Sequence, residues 1–328
     1  MEKALAIQKE VQKILGTEEC FLIGGATRDL VMGNTPKDYD FATPMLPDDM
    51  VLAIKKAGRR VYDVGQHYGT IGMKVPVPIN VIDVVTGAEN MTSSSDQLFM
   101  HYGYEYVEIT TYRGDKYSNN SRKPEVTFTT NLDEDLKRRD IRFNAMALMN
   151  DGKIYDPLGG KLDIYKKQIV SVGLPKERIT EDPLRIFRAA RFAARYNFTI
   201  DHNFIGKARQ LADRIFDVSV ERWCAEMDKL LISEHPNIGL RYLTEMRIIQ
   251  RMLPEFNRNA LMPSHFSKSP DEAWSALLNA NIDGIFSSDI CNKFGLAPDK
   301  AKRFILIGIC ARFKFSNDRT KIILGDKK

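Results

Sequence analysis

The chain has 328 residues, which at about 150 residues per domain predicts two domains with room for a third, small one. It carries 48 Lys and Arg against 43 Asp and Glu, a net charge of +5 that allows a nucleic-acid or nucleotide partner without requiring one. A hydrophobic fraction of 43% and a charged fraction of 28% exclude a disordered or collagen-like chain.

The sequence contains no segment typical of a membrane anchor or a secretion signal. Its longest apolar run, 304–310, is too short for a bilayer span of about 20 residues, and the N-terminal helical pattern lacks an apolar core. The 4 Cys and 5 His residues are scattered, which disfavours a disulfide framework or a structural zinc site. We therefore expect a soluble, cytoplasmic protein with no membrane partner.

The order of predicted elements indicates an α/β or α+β head followed by an all-helical body. Up to about residue 148, short β-type runs alternate with turns and a few helical stretches, and after about residue 180 helical periodicity continues to the end. The predicted domains are a head at 1–148, a helical neck and body at 149–258, and a short helical tail at 259–328. The predicted strands are 21–23, 61–64, 70–75, 107–111 and 126–129, and two polar stretches, 86–101 and 114–124, are predicted surface loops.

A glycine turn follows the first predicted strand. Gly24 and Gly25 let the backbone approach a ligand closely, and the helical pattern that follows offers free N–H groups to an anion. Arg28, in the first turns of that pattern, could hydrogen-bond a phosphate through its guanidinium group. A glycine pair alone is more often a structural turn, so the turn is only suggestive.

Two acidic residues lie shortly downstream of this turn. Asp38 and Asp40 are two apart, so in a strand they point to one face with Cα atoms about 6.5–7 Å apart. Carboxylates this close repel each other unless a cation lies between them, and such oxygen ligands suit Mg²⁺. An isolated pair of this kind is more often a solvated surface feature, but its position after the glycine turn favours a metal site.

The segment GGATRDLVMGNTPKDYDFAT, residues 24–43, resembles the first motif of class II tRNA nucleotidyltransferases, the CCA-adding enzymes, and of bacterial poly(A) polymerases. More broadly, it resembles the nucleotidyltransferase head shared by DNA polymerase β and its relatives. Four further motifs follow in the family's order, so the resemblance covers roughly residues 20–255. It implies a polymerase-β-like head with a mixed β-sheet, followed by helical neck, body and tail. The later motifs are 134–140 with 144–147, 156–163, 181–185 with 188 and 191–192, and 219–222 with 226.

The resemblance also implies roles for residues of the head. Asp38 and Asp40 would hold two Mg²⁺ ions, and a third carboxylate is expected on a neighbouring strand. We assign it to Glu108, in a strand similar to the family pattern, with Asp83 as a weaker rival. The nucleotide-binding residues implied in the head are Gly24, Gly25 and Arg28, with Arg139 and Asp140 at the triphosphate and ribose and Asn144 in the nucleotide pocket.

The fourth motif predicts a helix capped by Thr180, with Asp182 in its first turn. On a helical wheel four arginines share one face, opposite an apolar face, and Asp182 lies next to Arg185 at i, i+3. Such an arginine face is usually salt-bridged to solvent-exposed acids. The resemblance implies instead that Asp182 and Arg185 hydrogen-bond the Watson–Crick edges of CTP or ATP. The arginines are Arg185, Arg188, Arg191 and Arg195, of which the first three are assigned to nucleotide binding.

The function that the resemblance implies is template-independent addition of CCA to the tRNA 3′ end from CTP and ATP. Within the enzyme class, the alternatives are a CC-adding or A-adding specialist and a poly(A) polymerase. The loop 114–124 disfavours a CC-only enzyme, and the short tail disfavours a poly(A) polymerase. A non-catalytic RNA-binding protein is disfavoured by the retained carboxylates, and an antibiotic- or protein-modifying nucleotidyltransferase by the motif at 181–185.

Overall fold

Seven of the described strands form the sheet of the first part of the chain, in the order β3-β4-β5-β2-β1-β8-β9. Strands β2 and β5 run parallel and the other neighbours antiparallel, so the sheet is mixed. The five predicted strands all appear in this part of the chain. The strands are β1 (Phe21–Ile23), β2 (Tyr39–Thr43), β3 (Val61–Gly65), β4 (Thr70–Pro78), β5 (Tyr102–Thr111), β6 (Arg113–Lys116), β7 (Glu125–Phe128), β8 (Ala147–Leu148) and β9 (Ile154–Tyr155).

The computed structural model divides into two compact units, Met1–Leu162 and Asp163–Lys328. The predicted domain limits at 148 and 258 stay predictions. In the part of the chain that the structure describes, no helix is long and apolar enough to cross a membrane. The described residues are 1–78, 102–116, 125–253, 267–282, 306–307, 309–311 and 313–325. The predicted loop 86–101, the rival carboxylate Asp83 and residues 117–124 lie outside them.

One face of the large sheet is buried by helices of the first unit. Strand alternation turns Val107 and Ile109 of β5 toward this core, where they are 0% exposed. Residues 40 and 108 therefore lie on the opposite face. The helices of this unit are α1 (Glu2–Leu15), α2 (Gly24–Val31), α3 (Pro47–Lys56) and α4 (Leu132–Lys137), and the core residues that α1 and α3 contribute include Ile7, Val11, Met50 and Ile54.

The predicted loop 114–124 is wrong at its start. Gly114 lies in β6, which pairs antiparallel with β7 in the register Gly114↔Thr127. The local sequence Gly-Asp-Lys favours a turn, but the hydrogen bonds available from β7 make it a strand. The described part of this segment is therefore one arm of a β-ribbon.

The described part of the second unit is helical, apart from a short parallel pair of strands, β10 (Gln168–Ile169) and β11 (Thr199–Ile200). The apolar face predicted for the fourth motif is confirmed: Ile186, Phe187, Ala190, Ala193 and Ala194 are all 0% exposed. The helices from residue 160 onward are α5 (Gly160–Tyr165), α6 (Pro175–Glu181), α7 (Leu184–Tyr196), α8 (His202–Gln210), α9 (Val220–Leu231), α10 (Pro236–Glu245), α11 (Ile249–Met252), α12 (Pro270–Ile282) and α13 (Asn317–Leu324).

The predicted start of the fourth-motif helix is wrong. Thr180 lies inside α6, and Asp182 follows that helix in an extended conformation with φ −145° and ψ 103°. Pro183 explains the difference, because a proline drives the preceding residue away from helical angles. Asp182 ends α6, and its Oδ1 accepts from the N–H of Leu184, the first residue of α7, at 3.1 Å. Asp182 and Arg185 therefore do not share one helix.

Candidate active site

Two of the predicted carboxylates lie side by side on the open face of the sheet. Asp40 of β2 and Glu108 of β5 are register partners in the parallel pair. Directly paired residues of neighbouring strands point to the same face. Asp38 precedes β2 and its charge acts on Asp40. The structure thus brings together the three acidic residues that the sequence analysis selects, although their catalytic role stays a prediction.

The environment of Asp40 disfavours its charged form. Desolvation by the surrounding protein is the largest influence and raises the pKa of Asp40 above its usual value. The negative charges of Glu108 and Asp38 raise it further, and the positive charge of Arg139 offsets part of the rise. The site therefore concentrates negative charge that its own cations balance only in part.

The chemistry of these residues fits a divalent metal ion, although the side chains do not form a ready-made cage. Within the described ranges, no group of three or more His, Cys, Asp or Glu side chains could hold a metal ion. The available donors are hard carboxylate oxygens, which suit Mg²⁺. Desolvation, and then repulsion by Glu108 and Asp38, raise the pKa of Asp40, and a bound cation would offset both by favouring the charged carboxylate.

The glycine turn, Arg28 and Asn144 converge beside the carboxylates. Gly24 has φ +71°, a left-handed conformation that glycine adopts without strain. A side chain there would begin 3.2 Å from Nη1 of Arg139. Arg28 is 5% exposed and donates from Nη1 to Oδ1 of Asn144 at 2.8 Å. The structure therefore groups the predicted nucleotide-binding residues of motifs one and two.

Each arginine of this group is held by a carboxylate. Arg28 donates from Nε and Nη2 to Oδ1 of Asp29 at 2.9 and 2.7 Å. Arg139 donates from Nη2 to Oδ2 of Asp135 at 2.9 Å, and Arg138 donates from Nε to the other oxygen at 2.8 Å. These bonds fix the guanidinium groups near the glycine turn.

Asp135 lies in the second motif but was assigned no role from the sequence, and it is 0% exposed. Desolvation raises the pKa of Asp135, but the charges and hydrogen bonds of Arg139 and Arg138 outweigh it and hold the pKa below its usual value. The available signal was its spacing of three and four residues from the two arginines. Asp140 follows them and accepts from the N–H of Ile141 at 2.9 Å through its Oδ1.

In the second unit, Asp182 and Arg185 have separate partners. Arg185 is 8% exposed and donates from Nη1 to Oε2 of Glu181 at 2.8 Å. Glu181 also accepts from Nη1 of Arg178 at 3.0 Å. Asp182 accepts from Nη2 of Arg222 at 2.8 Å through its Oδ2. Glu181, Arg178 and Arg222 received no individual role in the sequence analysis, although Glu181 and Arg222 belong to the motifs quoted there.

The remaining predicted arginines of α7 share one carboxylate from α9. Arg191 donates from Nε to Oε2 of Glu226 at 2.6 Å, and Nη1 of Arg188 lies 4.0 Å from the other oxygen. Glu226 is 7% exposed, so this is a partly buried network. The arginine face is thus interleaved with carboxylates that orient it.

The mixed sheet and the row of carboxylates define a nucleotidyltransferase head of the polymerase β type. The "Poly A polymerase head domain" model matches residues 20–170, and that of the "Probable RNA and SrmB- binding site of polymerase A" matches 197–259. The chain belongs to the family of class II tRNA nucleotidyltransferases and bacterial poly(A) polymerases.

Curated relatives include CCA-adding enzymes. Those of Bacillus subtilis and Lactococcus lactis are each 34% identical, over 291 and 276 residues, which are 85% and 81% of this chain. The chain spans less than two thirds of these relatives, 64% and 61% of their length. The solved structure of the Bacillus stearothermophilus CCA-adding enzyme in complex with CTP matches with a TM-score of 0.64 and 26% identity, covering 99% of this chain and 68% of that one.

Proposed function

We propose that the chain is a Mg²⁺-dependent, template-independent nucleotidyltransferase that adds CCA to the 3′ end of tRNA from CTP and ATP. The observation that carries the proposal is the pairing of Asp40 with Glu108 beside the cluster of Gly24, Arg28 and Asn144. The 34% identity to CCA-adding enzymes supports the choice of tRNA, CTP and ATP.

In this proposal the head carries the chemistry. The 3′-hydroxyl of the primer attacks the α-phosphate of the nucleotide, and pyrophosphate leaves. Asp38 and Asp40 would hold two metal ions, with Glu108 as the third carboxylate. Bound Mg²⁺ would lower the pKa of the attacking hydroxyl and neutralise charge on the leaving group.

The glycine turn and its neighbours bind the triphosphate. Gly24 and Gly25 let the backbone at the start of α2 approach the phosphates, where helix N–H groups point outward. The guanidinium groups of Arg28 and Arg139 are already oriented by carboxylates, so little side-chain entropy is lost when phosphates bind. Asp140 contacts the ribose, and Asn144 lines the nucleotide pocket.

The fourth motif selects the base. Arg185 offers donors to cytosine O2 and N3, and Asp182 accepts from an exocyclic amine. The described bond from Arg185 to Glu181 uses one of its five N–H donors, which leaves capacity for a base edge. Arg188 and Arg191 complete the nucleotide-binding residues of this helix.

The alternatives within the class are a CC-adding or A-adding specialist and a poly(A) polymerase. From another class, a non-catalytic RNA-binding protein would have no need for clustered carboxylates, since desolvation and then the charges of Glu108 and Asp38 raise the pKa of Asp40. We also propose a cytoplasmic location, where a tRNA-processing enzyme meets its substrate.

The test is incorporation on defined primers. Three tRNA transcripts, ending before CCA, after C and after CC, are incubated with Mg²⁺ and each nucleotide separately, with the Asp40→Asn variant as the control for contaminating activity. We expect CTP on the first two and ATP on the third. Addition that stops after CC would identify a CC-adding enzyme, and addition of A only would identify an A-adding enzyme. Long A tails would identify a poly(A) polymerase. Binding of tRNA without incorporation would contradict an enzymatic function.

A further inference from the structure

The sheet face that carries Asp40 and Glu108 continues into a group of tyrosines. Tyr106 and Tyr104 precede Glu108 by two and four residues in β5, so alternation places them on the same face. They are 40% and 62% exposed. Asp40, Glu108, Gly72 and Tyr62 form a row across the strands, since each residue is the register partner of the next.

Gly72 allows one of these rings to lie across the sheet. A side chain at Gly72 would begin 2.8 Å from Cζ of Tyr106, so the ring, in its present position next to Glu108, occupies space that the glycine leaves open. The ring of Tyr106 meets that of Tyr62 edge to face, with centroids 5.8 Å apart and planes at 78°. The ring is therefore positioned by its neighbours while part of its surface stays open.

Two exposed cations flank the tyrosines. Lys74 is the register partner of Tyr106 on β4, and the guanidinium carbon of Arg60 lies 5.1 Å from the centroid of Tyr62. The opposite face of these strands packs against α1 and α3, so a ligand would approach the face that carries the tyrosines. We call the group the tyrosine platform: Tyr62, Tyr104 and Tyr106 with Lys74 and Arg60.

We propose that the tyrosine platform binds the unpaired 3′-terminal nucleotides of the RNA primer and leads them to Asp40 and Glu108. Aromatic rings stack on bases of any sequence, and cations beside them contact the backbone phosphates. The platform is continuous with the carboxylate row, which is where the 3′-hydroxyl must arrive. The identity of the ligand as a primer rests on the proposed function, whereas stacking of single-stranded RNA can be measured independently of it.

The first experiment measures binding of a fluorescent single-stranded oligoribonucleotide to the full chain, by anisotropy, without CTP or ATP. The double variant Tyr104→Leu/Tyr106→Leu keeps apolar bulk but removes the stacking faces. We expect its Kd to rise roughly five- to hundred-fold. Tyr106→Phe keeps the ring and should bind like the wild type. The matched control is Tyr165→Leu, which removes a tyrosine that is 85% exposed and outside the platform.

The second experiment separates the primer from the nucleotide. The KM for a tRNA ending before CCA should rise in the double variant, while the KM for CTP stays unchanged. Lys74→Ala should reduce the slope of log K against log salt by about 0.7, the value for one single-strand phosphate contact. Lys55→Ala, on the helix that packs against the other face of the sheet, should not change it.

Oligonucleotide affinity within twofold of wild type in the double variant would overturn the proposal. So would a loss of affinity in Tyr106→Phe equal to that in the double variant, since the hydroxyl and not the ring would then matter. A rise in the KM for CTP alone would assign the tyrosines to the nucleotide pocket and equally overturn it. If the wild type binds the oligonucleotide through the platform but incorporates nothing, the proposed function fails and the platform stands.

Discussion

Replacing Arg185 by alanine tests whether side chains act in place of a nucleic-acid template. Arg185 is 8% exposed, and Glu181 fixes its guanidinium at 2.8 Å. A site built on buried hydrogen bonds rejects wrong partners because they leave polar groups unpaired. Arg185→Ala should therefore weaken selection among the four nucleotides more than it weakens folding.

The hydrogen bonds of Arg185 set the expected loss of activity and the expected loss of stability. Hydrogen bonds to charged groups contribute about 1.5–3 kcal/mol, and about 1.4 kcal/mol is tenfold. We expect kcat/KM for CTP and ATP to fall roughly 10- to 100-fold, with a matching relative gain for UTP and GTP. Glu181 keeps its bond from Arg178 in the variant, so the unfolding free energy should fall by only about 1–2 kcal/mol.

The matched control is Arg178→Ala. Arg178 donates to the same oxygen of Glu181, at 3.0 Å, but has no proposed contact with the nucleotide. Both variants are compared by incorporation of the four nucleotides on one tRNA primer and by urea denaturation. Unchanged nucleotide preference in Arg185→Ala would refute base selection by Arg185, and an equal change in Arg178→Ala would show that specificity follows the ion pair and not the base contact.

Four further substitutions test the head. Asp40→Asn should lower incorporation by at least about 10³-fold while leaving the Kd for tRNA within a few-fold. Because the raised pKa of Asp40 means that charging this group opposes folding, the variant should also melt higher than wild type at pH 7 without metal. Glu108→Gln should lower the rate by orders of magnitude, and Asp83→Asn should change it little. Asp135→Asn should lower the unfolding free energy at pH 7 by about 3–5 kcal/mol, because it leaves a partly buried arginine pair without its counter-charge.

The pH dependence separates the two aspartates. The lowered pKa of Asp135 means that its contribution to stability is present above the unfolded pKa of about 3.9 and is lost as pH falls through the lower folded value. The gap between wild type and Asp135→Asn should therefore narrow in acid. For Asp40 the difference in stability has the opposite sign: Asp40→Asn is more stable than wild type, and the difference grows as pH rises above about 4. Melting curves from pH 3 to 8 measure both, and a gap of the other sign at either residue would contradict the electrostatic account.

Local sequence signals predicted five of the nine described strands of the head, but not which strands are neighbours in the sheet. Runs such as 107–111 have the β-branched composition of a strand, and the structure confirms them. The register that places Asp40 against Glu108 depends on which strands meet in the sheet, and no local pattern encodes that. Glu108 was selected by resemblance to a family motif, and the carboxylate row could be located only from the folded sheet.

The error in the fourth motif occurred where two local rules competed. At Asp182, helical periodicity extended across Pro183, whereas the backbone restriction imposed by that proline divides the segment into α6 and α7. The helical wheel remained correct for the residues after the proline, because they do lie on one helix. The apolar face of α7 was therefore predicted, and the position of Asp182 was not.

A common arrangement unites the predicted arginines of both units. Each is oriented by a carboxylate to which the sequence analysis gave no role of its own. The neighbouring acid lowers the net charge available to a phosphate, so these pairs are not simply an attractive patch. What they supply is orientation: a guanidinium held in place loses less side-chain entropy when a ligand binds. These carboxylates should therefore matter through the position of the arginine and not through charge. The pairs are Arg28 with Asp29, Arg139 with Asp135, Arg185 with Glu181, and both Arg191 and Arg188 with Glu226.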